Sequence, residues 1–580
     1  MRGILRVIFV VALSVAIAPL GRAQTAPSAA APIPSNMARM LPVLAPHGMV
    51  ASQEKRATHI GVEILKAGGN AVDAAVAVGF ALAVTHPQAG NIGGGGFMLV
   101  HLASRSETIA IDYRETAPAA MTRDVFLDAK GEADPKKSRD SALGIGVPGT
   151  VAGLALAHAK YGSGKFTLAQ LIAPAIKLAR EGFAVDDELA DTLPRAAPRL
   201  AAWPAAAKIF LKEGGAPLGR GDTLTQGDLA ASLETIARDG PRAFYEGPLA
   251  EKIVAGVRAA GGIMTADDLK NYQAIERAPV RGSYRGYDIA SMPPPSSGGV
   301  HLIQILNILE GSPLRELGAG AAATLHLMIE AMKPAYADRS EYLGDPAFVQ
   351  VPVAGLTSKK YAATLRQAID PEHARPSETI RPGNPPHEGD QTTHFSVVDA
   401  AGNAVANTYT LNFYYGLGLV ADGTGILLNN ELDDFAAKPG AANAFGLLGG
   451  DANAPGPGKR PLSSMSPTIV FHDGKVALVT GTPGGSRIIT TVLQVILNVI
   501  DHRMNIAEAV AAPRIHHQWM PDRVFTERGL SPDTIRLLEA KGHSFITVAS
   551  FGSANSILVT PEGLTGAADP RQRGTLAEGH

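Results

Sequence analysis

From about Met49 the apolar positions recur first at helical and then at strand spacing, which predicts a mixed α/β chain. Thr58 to Leu65 is predicted as a helix that stops at Gly68-Gly69. Asn70 can cap a second helix, Ala71 to Val84, whose Ala and Val positions are apolar almost all round, the signature of a helix inside a core. The run Gly90-Asn91-Ile92-Gly93-Gly94-Gly95-Gly96 then leads into a predicted strand, Phe97 to His101, and a second strand, Thr108 to Tyr113, follows at hairpin distance. Residues 148–270 are predicted to be mainly helical, with helices over Gly149 to Tyr161, Leu168 to Glu181 and Leu229 to Asp239. Further on, Met292-Pro293-Pro294-Pro295-Ser296-Ser297-Gly298-Gly299 precedes an apolar helix. The prolines fix the backbone there, and Ser-Ser-Gly-Gly is a natural helix start.

Residues 371–391 break this pattern. Pro371, Pro376, Pro382, Pro385 and Pro386 crowd together with Glu, His, Gly and Asp, which predicts an exposed, irregular segment. It ends abruptly at Gln391-Thr392-Thr393. A strong hairpin follows: Thr393 to Val398, the turn Asp399-Ala400-Ala401-Gly402-Asn403, then Ala404 to Thr410. A loose loop running straight into a core strand is the most informative feature of the chain's organisation. There is no internal repeat.

Composition narrows the function classes. The 580 residues carry 46% hydrophobic and 18% charged side chains with a net charge of −2, so no basic field draws the protein to nucleic acid. Cysteine is absent, which excludes disulfides, thiolate metal sites and cysteine nucleophiles. Arg2 and Arg6 precede an apolar run, Val7 to Leu20, with small residues at Gly21-Arg22-Ala23; this predicts a secretory signal over residues 1–23. The alternative, a retained anchor, needs a span of roughly 20 apolar residues, longer than this run. Residues 24–45, rich in Ala, Pro and Ser, are expected to be a flexible lead-in.

Several motifs lead nowhere. Gly162-Ser163-Gly164-Lys165 resembles the end of a phosphate loop, but Phe166 stands where Ser or Thr belongs. The Gly90–Gly96 run precedes a strand rather than joining strand to helix, against a dinucleotide fingerprint. Ser52-Gln53-Glu54-Lys55 lacks the companion triplets of a penicillin-binding site. His516-His517 are adjacent, a poor spacing for two metal ligands, and no cofactor is called for.

What remains lies in the C-terminal third: Thr392-Thr393-His394, Thr410-Leu411-Asn412, Asn430-Glu431-Leu432-Asp433-Asp434, Pro461-Leu462-Ser463-Ser464-Met465 and Gly481-Thr482-Pro483-Gly484-Gly485. Each alone reads as a turn or a helix start. Together with Gly68–Ala75, Thr85-His86-Pro87, Asp112-Tyr113-Arg114-Glu115, the Pro293–Gly299 run and Ala567–Arg571, they follow one order from about residue 45 to 571. In this the chain resembles the γ-glutamyltransferase (γ-glutamyltranspeptidase) family of N-terminal-nucleophile hydrolases.

The resemblance implies a four-layer αββα sandwich and a precursor that cuts itself between Gln391 and Thr392, giving a large subunit (46–391) and a small one (392–580) that stay associated. An alcohol is a weak nucleophile near neutrality, and a terminal threonine carries its own base, an α-amine of pKa ~8. Thr392 is thus the implied nucleophile, with Thr410 orienting its amine. The backbone N–H groups of Gly484 and Gly485 are the implied oxyanion donors. Arg114 offers a fork for the donor's α-carboxylate, which Ser463 and Ser464 also contact; Asn412, Glu431 and Asp434 hold its ammonium. From its residues alone, Arg114 could equally be a structural ion pair with Glu115 or another acid. Implied partners are glutathione and related γ-glutamyl donors, with water, amino acids or dipeptides as acceptors. The implied location is beyond the inner membrane, in the periplasm or the medium.

One position departs from the family. Some members carry a lid tyrosine that hydrogen-bonds the asparagine matching Asn412; here Phe445 stands in that place and can only pack. Two rivals stay open: an acylase of the same architecture with another acyl group, such as a cephalosporin acylase, and a secreted amino-acid-binding protein without chemistry.

Overall fold

The longest run of small apolar residues becomes the most deeply buried helix. Helix α2 (Ala71–Thr85) is buried at all fifteen positions and opens on a capping box between Asn70 and Asp73. Helix α1 (Lys55–Lys66) starts three residues before the predicted Thr58, because the Glu54 side chain accepts the Arg56 and Ala57 N–H groups and caps it. These elements come from a computed structural model that describes residues 40–381, 393–438 and 450–580. A short N-terminal unit ends at Leu41, with only Met40 and Leu41 described; all elements below belong to the second unit, Pro42–His580.

Fourteen strands build two seven-stranded sheets. In chain order they are β1 (Val43–Ala45), β2 (Met49–Ser52), β3 (Gly95–Leu102), β4 (Glu107–Tyr113), β5 (Ile275–Arg277), β6 (Val280–Tyr284) and β7 (Tyr287–Ser291). They continue with β8 (Thr393–Val398), β9 (Ala404–Thr410), β10 (Thr468–His472), β11 (Lys475–Thr480), β12 (Ser556–Thr560), β13 (Gly563–Ala567) and β14 (Leu576–Gly579). The first sheet runs β14-β2-β8-β9-β3-β4-β5 and the second β1-β13-β12-β11-β10-β7-β6. Neighbours in both are antiparallel.

Strand alternation separates the layers. Met98 and Val100 of β3, Phe395 and Val397 of β8, and Val405 and Tyr409 of β9 face outward to α2 and the helices α3 (Thr150–Tyr161) and α4 (Leu168–Glu181). Phe97, Leu99, Ala404, Ala406 and Ala51 face inward, where they meet Ile469, Leu478 and Ile557 of the second sheet. The second sheet is covered in turn by α6 (Gly298–Leu309), α7 (Ala322–Tyr342) and α8 (Arg487–Ile500), while α5 (Asp187–Ala201) lies on the first side. The expected αββα sandwich, the predicted hairpin 393–410 and the helix starts at Leu168 and Gly298 are all present.

The glycine run before β3 lets backbones meet. Gly94 donates to Asn91 Oδ1 at 2.9 Å, and its carbonyl takes the N–H groups of Gly149 and Thr150 at the start of α3. A Cβ on Gly94 would lie 2.1 Å from the Thr410 carbonyl oxygen, so no side chain fits without moving the end of β9. Gly94→Ala is therefore expected to lower stability by about 1–3 kcal/mol, as overpacking against backbone does. A denaturation midpoint equal to that of the parent would contradict this contact.

Candidate functional site

Thr392 and Gln391 at the junction, and Phe445, lie outside the described residues. Arg114, Thr410, Asn412, Glu431, Asp434 and the serine pair gather where β4 and β9 end and β8 begins. Thr393 opens β8 and pairs with Tyr409 of β9, so Thr410 closes β9 at the same end of the strand pair. Thr410 Oγ1 accepts the Asn412 N–H at 2.7 Å, and its carbonyl accepts Asn91 Nδ2 at 2.8 Å. Asn412 sits at φ 74°, sparsely populated for a residue with a side chain, and is held there by Nδ2 donating 2.9 Å to the Asn430 carbonyl.

Arg114 follows β4 directly and is 1% exposed. Its Nε donates to the Pro461 carbonyl at 3.0 Å and Nη2 to the Leu462 carbonyl at 3.1 Å. Nη1 pairs with Glu431 Oε1, and Nη2 with Asp434 Oδ2 at 2.5 Å. Glu115 Oε2 lies 3.9 Å from Nη1. The substrate-carboxylate fork and the carboxylates expected to take an ammonium thus form a single ion cage. The structural ion pair foreseen as an alternative for Arg114 is real, with Glu431 and Asp434 rather than Glu115 as its close partners.

The cage holds more acceptors than Arg114 can satisfy. Both Glu115 oxygens, Glu431 Oε2, Asp434 Oδ1 and Asn412 Oδ1 are buried acceptors with no hydrogen-bond partner among the described residues. Burial raises Glu431 well above the usual carboxylate range and Glu115 to about 7, with Arg114 opposing both shifts. Asp433, beside the cage and bonded to Ser138 Oγ, is also raised by burial to about 7.

The serine pair is pinned from behind. Ser464 Oγ accepts Arg339 Nη2 at 2.9 Å, and Arg339 Nε in turn donates to Ser297 Oγ at 3.0 Å. Ser463 Oγ accepts the Met465 N–H at 3.1 Å, while its carbonyl accepts Ser297 N–H and Ser296 Oγ at 2.7 and 2.9 Å. Each Oγ is thereby an acceptor within the fold, which leaves its O–H to donate outward. Arg339, Ser297, Arg460 and Glu115 support the site in ways the sequence did not assign. Arg460 grips the Arg114 carbonyl at 2.5 Å and Asp112 at 3.2 Å. Glu115 sat inside a recognised motif; Arg339, on α7, carries no local signal at all.

Gly484 and Gly485 lead into α8 at φ 134° and 60°, backbone that favours glycine. Their carbonyls accept from Arg487 and Ile488, and neither N–H has an acceptor among the described residues. Two free donors at a helix N-terminus make an anion site. The same loop begins at Gly481, where an added Cβ would come within 2.4 Å of the His394 ring, so it rests against the start of β8. His394 itself is buried, bonded to Thr408 Oγ1 and Ser396 Oγ at 2.9 and 3.0 Å, and depressed by burial to about 3, hence neutral.

A sequence profile of the family described as Gamma-glutamyltranspeptidase matches residues 57–579. The "Glutathione hydrolase proenzyme" of Escherichia coli (strain K12) is 58% identical over 542 residues, covering 93% of this chain and 93% of that protein. Among solved structures, cephalosporin acylase from Bacillus halodurans superposes with a TM-score of 0.83 at 30% identity, over 93% of this chain and 97% of that one. Helicobacter pylori gamma-glutamyltranspeptidase gives a TM-score of 0.56 at 49% identity, over 57% of this chain and 94% of that one.

The cage makes stability depend on pH. Glu115 and Asp433 have folded values near 7, above the ~4 of an unfolded carboxylate. The folded state therefore binds more protons, and their contribution is complete below about pH 4 and lost as pH rises through about 7. Glu115→Gln should flatten the fall in thermal stability between about pH 5 and pH 8 by on the order of 2 kcal/mol. Superimposable pH profiles of variant and parent would exclude a protonating Glu115.

Proposed function

The chain belongs to the gamma-glutamyltranspeptidase family, and we propose from this that it is a γ-glutamyltransferase and glutathione hydrolase made as a proenzyme and activated by its own scission before Thr392. The observation that carries the reading is the cage: one buried guanidinium beside buried acceptors that lack donors, at the same end of the sheet as the start of β8, which Thr392 precedes in sequence. An α-amino acid group brings the donor these acceptors lack, an ammonium for Glu431, Asp434 and Asn412, while its carboxylate takes Arg114 in exchange for the acids now on the guanidinium and meets Ser463 and Ser464.

In the precursor, the Thr392 hydroxyl attacks the Gln391 carbonyl carbon, the C–N bond breaks as nitrogen takes up a proton, and water hydrolyses the resulting ester. This frees the α-amine. Thr392 directly precedes Thr393, which opens β8 and pairs with Tyr409 beside the Thr410 end of β9. In the mature enzyme the amine takes the hydroxyl proton as Oγ attacks the γ-amide carbonyl of glutathione or a related donor. Gly484 and Gly485 N–H groups stabilise the oxyanion, each contributing on the order of 3 kcal/mol. The amine returns the proton to the departing nitrogen, leaving a γ-glutamyl ester on Thr392. Water then yields glutamate, and an amino acid or dipeptide amine yields a new γ-glutamyl compound.

The acylase reading is favoured by the cephalosporin acylase likeness. It leaves the cage without a purpose, since an acyl group lacking an α-ammonium makes no use of acceptors that already lack donors. Export through residues 1–23, with the periplasm as destination, completes the proposal. No helix among the described residues is long and apolar enough to cross a membrane.

Thr392→Ala is expected to give one band of full mature length on a denaturing gel and no chromophore from a γ-glutamyl anilide, where the parent gives two bands and releases it. Two bands from the variant would refute self-cleavage by Thr392.

A further inference from the structure

Near its C-terminal end α7 presents two buried side chains to the site. Tyr336 and Arg339 stand three residues apart and so share one face of the helix; they are 2% and 1% exposed. They also brace each other, the Arg339 guanidinium carbon lying 5.9 Å from the centroid of the Tyr336 ring. Each reaches a different half of the site. The Tyr336 hydroxyl donates to the Ser486 carbonyl, one residue beyond Gly484-Gly485. Arg339 donates to Ser464 Oγ and Ser297 Oγ at 2.9 and 3.0 Å, behind the serine pair.

The Gly484-Gly485 loop needs such a hold. Its φ angles of 134° and 60° are ones that residues with a side chain rarely adopt, and its N–H groups must converge on one point to serve an oxyanion. Thr482 Oγ1 accepts the Ser553 N–H at 2.8 Å before the glycines, and Ser486 Oγ donates to Gln518 Oε1 at 2.9 Å after them. Tyr336 adds a hold from a distant part of the chain. It precedes Thr392 in sequence and Ser486 follows it, so this hydrogen bond would cross the proposed cut. The Tyr336 ring is fixed in turn by the His516 ring, which meets it edge-on at 5.5 Å and 87°. Burial holds His516 well below the usual histidine range, so it stays neutral and places no charge beside the loop.

We propose that α7 is a positioning strut for both halves of the site, with Tyr336 setting the oxyanion loop and Arg339 the serine pair that meets the α-carboxylate of the γ-glutamyl group. The proposal rests on the transferase reading above. Both residues act through the groups they hold, Tyr336 through a backbone carbonyl and Arg339 through two hydroxyls. The two contacts therefore have separate effects. Acylation of Thr392 and hydrolysis of the ester each pass through an oxyanion, so a slack loop slows whichever step limits kcat and leaves binding of the glutamyl end alone. A slack serine pair does the reverse, because the α-carboxylate is bound alike before and during the reaction.

The test measures two quantities. One is kcat for hydrolysis of a γ-glutamyl anilide, per mole of cleaved protein counted on a denaturing gel. The other is the competitive inhibition constant of L-glutamate, which carries the α-amino acid end without a scissile bond. Tyr336→Phe removes one oxygen and keeps the ring on which Arg339 rests. It should lower kcat about tenfold, less than the roughly 10²–10³-fold lost with an oxyanion donor itself, and leave the inhibition constant within about twofold. Arg339→Lys keeps the charge but not the fork that spans two hydroxyls. It should raise the inhibition constant about tenfold and leave kcat within about twofold. Opposite signatures from two neighbours on one helix face are not what a general loss of packing produces. A Tyr336→Phe protein with parental kcat, an Arg339→Lys protein with parental affinity for glutamate, or two variants that lose rate and affinity together would overturn the strut while the transferase reading stands. Failure of either variant to be cleaved at all marks its side chain as a folding contact and overturns the strut likewise. A parent that releases no chromophore from the anilide removes the reading beneath it.

Discussion

A strand that becomes a chain terminus must be held by everything around it except its own peptide bond. β8 meets that demand: all six of its residues are buried, and it is hydrogen-bonded to β2 on one side and β9 on the other. Cleavage before Thr392 would leave β14, β8 and β9 interleaved with β2, β3, β4 and β5 in one sheet, and β10 to β13 between β1 and β7 in the other. Each fragment then lacks the neighbours that satisfy its backbone polar groups, so separation would expose both ladders and both inner faces. On the proposed reading, such a cut would activate a nucleophile while β8 stays held on both sides.

The second constraint is electrostatic. A buried guanidinium needs acids, and the fold supplies more of them than it needs: Glu431 and Asp434 in contact, Glu115 close by. Burial penalises that excess, and the raised Glu115 and Glu431 are its signature. A site poised in this way gains little from a neutral acyl group and more from one that carries its own ammonium. Arg339, Arg460 and Ser297 hold the serine pair and the Arg114 backbone in place around the cage.

Local features were legible in the sequence and convergence was not. The Asn70 cap, the buried α2, the start of α4 at Leu168 and the 393–410 hairpin follow from spacing and turn chemistry over short windows, and the structure has them at those positions. Arg114, Glu431, Asp434 and Ser463-Ser464 could be named as a group only through the family resemblance, since more than three hundred positions separate Arg114 from its partners. That the carboxylates would grip Arg114 itself depends on three chain segments meeting at the end of β4, which no periodicity encodes. Arg339 and Arg460 stayed hidden for the same reason.

The account turns on a threonine that is at once nucleophile and chain terminus. Quenching the protein in acid while it turns over a γ-glutamyl anilide, then mapping its peptides by mass, reads both properties together. The predicted result is one γ-glutamyl group on a peptide that begins with Thr392 as a free N-terminus. Finding the group on another residue, or on a Thr392 still joined to Gln391, would contradict the account.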